Sequence, residues 1–404
     1  MGLVPLGVAA QECGSSSSVN SVDISSQEDL DALQSDCTIL LSPYTITPEF
    51  SGPFVLPGIV NISKLSTGSD GSREPINVPS IEMPDLVYAK DLFLHRLDSL
   101  ETFSVPKLAT LGWATVDIPS HIDTFEMPAL EESVGGMSLM GNLTDVSFPA
   151  LHTVTMGDLI IQNSHFAVEP ETSMNISLPA LNSSESIFIN GRASRIYLPE
   201  LTYLASPWIT GSGSNFSLWG ETIELDLPKL HTVDGSIYFE GNITSLSLPS
   251  LDWVDKNLTV TAGNPLAVDI PELGYAKVIR LSGKIKSAEL PGLNNWSELH
   301  VDTDLAFDCD AFMEKYDRLP TMRLVTCVSR GEVEDSDAPN DSIEESTSTE
   351  DESSPQEDES ATAGEEDTGD EEQTGDDNGS AHMHATGVGA VLVTFLVVFA
   401  LIGI

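Results

Sequence analysis

Apolar and polar residues alternate in short bursts along most of the chain, and the bursts end alike. Between Ile223 and Leu251 the unit appears twice, as Leu225-x-Leu227-Pro228-x-Leu230 and Leu246-x-Leu248-Pro249-x-Leu251. The same template recurs at Pro84, Pro106, Pro128, Pro149, Pro179, Pro199, Pro228, Pro249, Pro271 and Pro291, always with Leu two residues after the proline. Most spacings are 20 to 22 residues; the exceptions are 30 (149 to 179) and 29 (199 to 228). Ile223, Leu225 and Leu227 against Glu224 and Asp226 is the alternation of a half-buried strand. Proline, lacking an N–H, marks the strand end and a corner, after which the leucine re-enters the core. One such unit cannot bury its own apolar face, so units must stack. The pattern predicts a mainly β fold, a parallel β-helix or leucine-rich-like solenoid.

Short helices are expected at both ends. Ser25 with Glu28 has the spacing of a capping box, and Leu30 and Leu33 give the helix that follows an apolar stripe. Cys309–Tyr316 offers a second helix, with Phe312, Met313 and Tyr316 as its apolar contacts. Such lids keep solenoid ends soluble. The four cysteines fall as Cys13 with Cys37 and Cys309 with Cys327, one pair at each end of the repeats. The two ends are too far apart to bridge, so the expected disulfides are 13–37 and 309–327, which imply an oxidising, secretory compartment.

Charge sharpens this picture. The net charge is −46, and residues 331–404 hold 21 acids and no Lys or Arg, leaving 42 acids against 17 bases in 1–330. With no basic patch, a nucleic-acid partner is excluded. Residues 331–380, acidic and rich in Ser and Thr, lack the apolar surface to fold and read as a disordered linker. Asn378, Gly379 and Ser380 are three small residues followed by a polar spacer and an apolar tail, Val388–Ile404. That is the order of a glycosylphosphatidylinositol (GPI) attachment signal, with Asn378 as attachment residue and Gly379 and Ser380 as alternatives. The rival is a single membrane-spanning helix, but no Lys or Arg follows it to hold a cytoplasmic side. Residues 1–10 read as a signal peptide, short or truncated. The expected plan is a leader (1–10), a disulfide-bonded cap (11–40), repeats (41–305), a second cap (306–330), a linker (331–380) and a removed GPI signal (381–404).

Ten N-x-Ser/Thr sequons occur, at Asn61, Asn142, Asn175, Asn182, Asn215, Asn242, Asn257, Asn295, Asn340 and Asn378. In most, the middle residue is large and apolar; on a strand it points inward and sends the asparagine outward, where N-glycosylation needs it. Asn142 and Asn242 follow glycines, and a turn asparagine is the competing reading there. Chemistry-bearing residues are sparse. No register stacks three carboxylates as in polysaccharide-cleaving β-helices, so no catalytic residue, metal or cofactor is expected. His152 and His231 share Pro-x-Leu-His-Thr-Val but lie three turns apart, roughly 14 Å, too far to share an ion. The two long turns carry Phe166, Trp208 and Trp219, candidate ligand contacts, because flat rings suit sugar faces.

The Ile24–Leu33 segment leading to Cys37, the apolar-Pro-x-Leu repeats, the Asp308-Cys309 cap and the C-terminal signal together resemble the fungal extracellular-mutant/sporulation-specific family of GPI-anchored cell-wall-organisation proteins. The resemblance spans roughly 13–404; the departures are a weak leader and a tail richer in acids than in serine. It implies a fold similar to the receptor L-domain and a non-enzymatic role in wall integrity. It also implies a GPI lipid anchor and a place at the plasma membrane or bonded to wall glucan. The alternative is a surface receptor or adhesin for a glycan or protein. Neither reading specifies an oligomeric state.

Overall fold

The computed structural model describes residues 11–15, 21–68, 74–163, 172–205, 214–316 and 323–331. The expected leader (1–10), the expected linker from residue 332 on with its sequons Asn340 and Asn378, the expected GPI signal (381–404), and the loop aromatics Phe166 and Trp208 lie outside the described residues. The chain divides into two units, Met1–Asp337 and Ala338–Ile404. The first is a parallel β-solenoid of about 13 turns.

One turn shows how the sequence builds it. Thr232–Asp234 forms a short first strand. Ile237–Ser247 then runs as a longer strand that bends at Gly241 (φ 112°). Leu248-Pro249-Ser250-Leu251 closes the turn, the Leu251 N–H donating to the Leu248 carbonyl at 3.3 Å. That bond makes the proline corner a β-turn with proline at its second position, where the ring already holds the required φ. Equivalent bonds close the corners at Leu86, Leu108, Leu130, Leu151, Leu181, Leu201, Leu230, Leu273 and Leu293. Each turn therefore lays down three segments, and each stacks on its counterpart in the next. Thr232 pairs Trp253 in the first ladder. Tyr238 pairs Thr259 in the second, and Ser247 pairs Asp269 in the third.

The alternation reads directly as burial. The residues one and three before each repeat proline, such as Leu225 and Leu227, and the leucine after it, such as Leu230, are interior. Glu224 and Asp226 face out. Inside the second face, like residues stack turn upon turn; the Phe216 and Phe239 rings lie parallel with centroids 5.4 Å apart.

The turns outnumber the ten template copies for two reasons. Phe54-x-Leu56-Pro57-x-Ile59 keeps the corner but has Ile where the template requires Leu, with Leu56 and Ile59 both buried. The last two turns, Glu298–Thr303 and Leu324–Ser329, contribute second-face strands.

Both ends are lidded. Helix α1 (Gln27–Asp36) starts one residue later than expected. Its N-cap is Ser26, with Asp29 rather than Glu28 completing the capping box. Ser25-x-x-Glu28 and Ser26-x-x-Asp29 both fit the pattern, but the Asp29 carboxylate accepts from the backbone and hydroxyl of Ser25 and Ser26 alike, at 2.9–3.0 Å. Leu30 is fully buried and Leu33 packs beside it. Helix α2 (Cys309–Tyr316) buries Phe312 and Tyr316, with Met313 packed against the core. The Tyr316 hydroxyl accepts from the Leu290 N–H at 3.0 Å. Disulfides join Cys13 to Cys37 and Cys309 to Cys327.

Candidate functional site

Because each face is a stack of near-identical turns, outward residues form columns, and a column that breaks its own pattern is where a site can form. The sequon asparagines come first. Their apolar middle residues, Ile62, Leu143, Ile176, Phe216, Ile243, Leu258 and Trp296, are all buried, which turns the asparagines outward. Asn182 and Asn295 are exposed; Asn61, Asn142, Asn175, Asn215, Asn242 and Asn257 are half-buried. Asn175 is tied into its column, donating to Asp145 (2.9 Å) and accepting from Ser194 (2.7 Å). Asn142 and Asn242 follow Gly141 and Gly241, both at positive φ at the corner between the second and third faces. A Cβ at Gly241 would sit 1.6 Å from the Leu218 carbonyl oxygen, so only glycine allows the turns to approach there.

His152 and His231 occupy one exposed column with Asn182 and Thr202 between them, linked by successive backbone bonds of 2.8–2.9 Å. Three turns thus separate them. Among the described residues no group of three His, Cys, Asp or Glu could hold a metal ion. The neighbouring first-face column carries Tyr203, Thr232, Trp253 and Tyr275 in register. Trp253 stacks on Tyr275 with centroids 4.1 Å apart. The Tyr203 hydroxyl is hydrogen-bonded to Asp234, which pushes its pKa up to about 12.

The third face holds the larger irregularity. Its outer column runs Ser104, Glu126, Ser147, Ser177, Tyr197, Asp226, Ser247 and Asp269. Tyr197 is the one aromatic in that run and is 41% exposed. Asn175 pairs Arg195, and Glu224 pairs Ser245. Between Arg195 and Glu224, however, the pairing lapses: the register jumps from Arg192 opposite Trp219 to Tyr197 opposite Asp226. The later strand spends two more residues than the earlier one over that stretch, so the two turns splay. The result is an open cleft of about 600 Å³ with Arg195 and Tyr197 on one wall and Glu224, Asp226 and Thr222 on the other.

The Arg195 guanidinium lies over the Tyr197 ring, 5.1 Å from its centroid, and among the described residues no ion pair joins it to Glu224. Elsewhere, cross-turn pairs do close, as in Lys229–Glu200 at 2.6 Å and Lys107–Asp85 at 2.7 Å. Opposite charges thus face each other across the cleft without meeting.

Of the aromatics proposed from the sequence as ligand contacts, Trp219 alone has a described backbone, opposite Arg192 beside this cleft. Arg195 and Tyr197 were not singled out by sequence. The available signal was a bulky ring two residues before a repeat proline, where neighbouring repeats place Ser, Asp or Glu. Comparison of the chain with protein-family models, curated proteins and solved structures finds no match.

Proposed function

We propose that the chain is a non-enzymatic, GPI-anchored cell-surface glycoprotein that contributes to the organisation and integrity of a fungal cell wall. The observation that carries this reading is the solenoid closed at each end by a lid helix and a disulfide. Disulfides of this kind belong to the secretory route. The outward sequon asparagines and the C-terminal small-residue, spacer and apolar-tail order support the same route and its end at the outer membrane surface. Parallel ladders joining each turn to the next make a body suited to a structural role. The test is treatment of intact cells with phosphatidylinositol-specific phospholipase C, followed by glycosidase digestion. Release into the medium with a mass that falls on deglycosylation is expected. Retention on the cells, in neither a lipid-linked nor a glucan-bonded form, would overturn the anchor assignment.

A second reading, a cell-surface binding module for a glycan or protein, is favoured by one observation: the third-face cleft holds an exposed ring and sets Arg195 opposite Glu224 with no ion pair between them among the described residues.

A further inference from the structure

We infer that the third-face cleft between Arg195–Tyr197 and Glu224–Asp226 is a binding site for a short stretch of neutral polysaccharide. The inference rests on the binding-module reading above and names its site and ligand class.

The cleft arises where two turns part, so its walls are ladder strands rather than loose loops, which limits the ordering cost of binding. Tyr197 presents an exposed ring, and an aromatic face takes the C–H face of a pyranose. Glu224 and Asp226 are two residues apart on one strand face, roughly 7 Å, and as carboxylates they accept only. Arg195 donates only. Across the gap they offer acceptors and a donor that do not satisfy each other. A ligand entering there must supply hydroxyl donors and oxygen acceptors together, as a sugar does.

Charge narrows the class. The cleft sets two carboxylates against one guanidinium on a chain of net charge −46, so uronate or sulfated chains are repelled and uncharged ones are not. The cleft is open along the face, which suits part of a longer chain rather than an enclosed monosaccharide. A peptide strand adding to the splayed edges is the competing occupant, and the test separates it.

The experiment uses the full-length glycoprotein with neutral hexasaccharides of β-1,3-glucose, β-1,4-glucose, β-1,4-N-acetylglucosamine and α-mannose as probes, and with polygalacturonate as the anionic probe. Binding is followed by calorimetry and by saturation-transfer NMR. Saturable binding of at least one neutral hexamer is expected, with none of polygalacturonate. Tyr197→Ala and Glu224→Gln should each weaken it about tenfold. Tyr197→Phe should retain it, and Ser287→Ala, several turns away on the same face, should leave it unchanged. All three positions face outward, and the melting temperature checks that each variant folds. Absence of binding by every neutral hexamer, preference for polygalacturonate, or affinity indifferent to Tyr197→Ala and Glu224→Gln would overturn the site. So would binding of an extended peptide in its place. A failed cleft with intact lipid-dependent release would remove this inference and leave the scaffold reading standing. Cleavage of a bound hexamer would keep the cleft and overturn the non-enzymatic reading.

Discussion

The bridge at the C-terminal end gives the sharpest energetic prediction. Cys309 opens α2, and Cys327 lies in the last strand, opposite Val301 in the inward column of the second face. The bond closes a loop of sequence separation 18, for which the chain-entropy relation gives about 3 kcal/mol. The lid does not depend on the bridge alone. Phe312 and Tyr316 stay buried, and the Tyr316 hydroxyl still accepts from Leu290. An eight-residue helix cannot persist without such contacts, so removing the bridge should loosen the lid rather than erase it. In a solenoid each turn touches only its neighbours, and the cost should therefore stay local. Replacing both cysteines, Cys309→Ala with Cys327→Ala, should raise local opening of the last turns by about two orders of magnitude. Hydrogen exchange read by mass spectrometry would show it as lost protection in Glu298–Thr303 and Leu324–Ser329, with Tyr88–Leu94 unchanged. Equal loss in Tyr88–Leu94 would refute the nearest-neighbour reasoning, and no loss at all would refute the role of the bridge.

Leu230 is fully buried, so Leu230→Asp should strand a charge in the core and abolish secretion, whereas Thr232→Asp in the outward first-face column should be secreted; equal yields would mean the register is misread. Gly241→Ala, placing a Cβ against the Leu218 carbonyl at φ 112°, should cost at least about 2 kcal/mol in denaturant unfolding. Hydrogen bonds from Ser25 and Ser26 hold the Asp29 carboxyl below the usual range. A depressed folded value means the stabilisation is present above the unfolded value, about 3.9, and is lost as pH falls through the folded one. Exchange in α1 should therefore rise at pH below about 4, and Asp29→Asn should abolish that dependence.

The repeat was legible because one requirement recurs at each turn. Proline ends the strand and sets the corner, and the flanking apolar residues must be interior, as Leu227 and Leu230 are. The template failed at Pro57 only because Ile59 fills the space that leucine fills elsewhere. The lid at α1 was legible to within a residue. Two overlapping Ser-x-x-acid patterns compete there, and the shorter Asp29 side chain is the one that reaches both serines. The cleft was not legible. The spacing of 29 between Pro199 and Pro228 announced extra residues, but where they part the ladder depends on how Arg192–Tyr197 aligns against Trp219–Asp226. Pairing between neighbouring turns is not written in either segment alone. Asp226 and Glu224 were readable as outward; that Arg195 and Tyr197 face them across a gap was not.

The anchored-scaffold account is tested most directly by deleting Val388–Ile404 in cells that depend on the protein and measuring both its fate and their resistance to wall-perturbing agents. The solenoid and both lids end before residue 332, so the truncated chain should appear in the medium folded, with both disulfides formed, while the cells remain as sensitive as those lacking the protein. A secreted form that fully restores resistance would contradict the account and favour a diffusible binding protein.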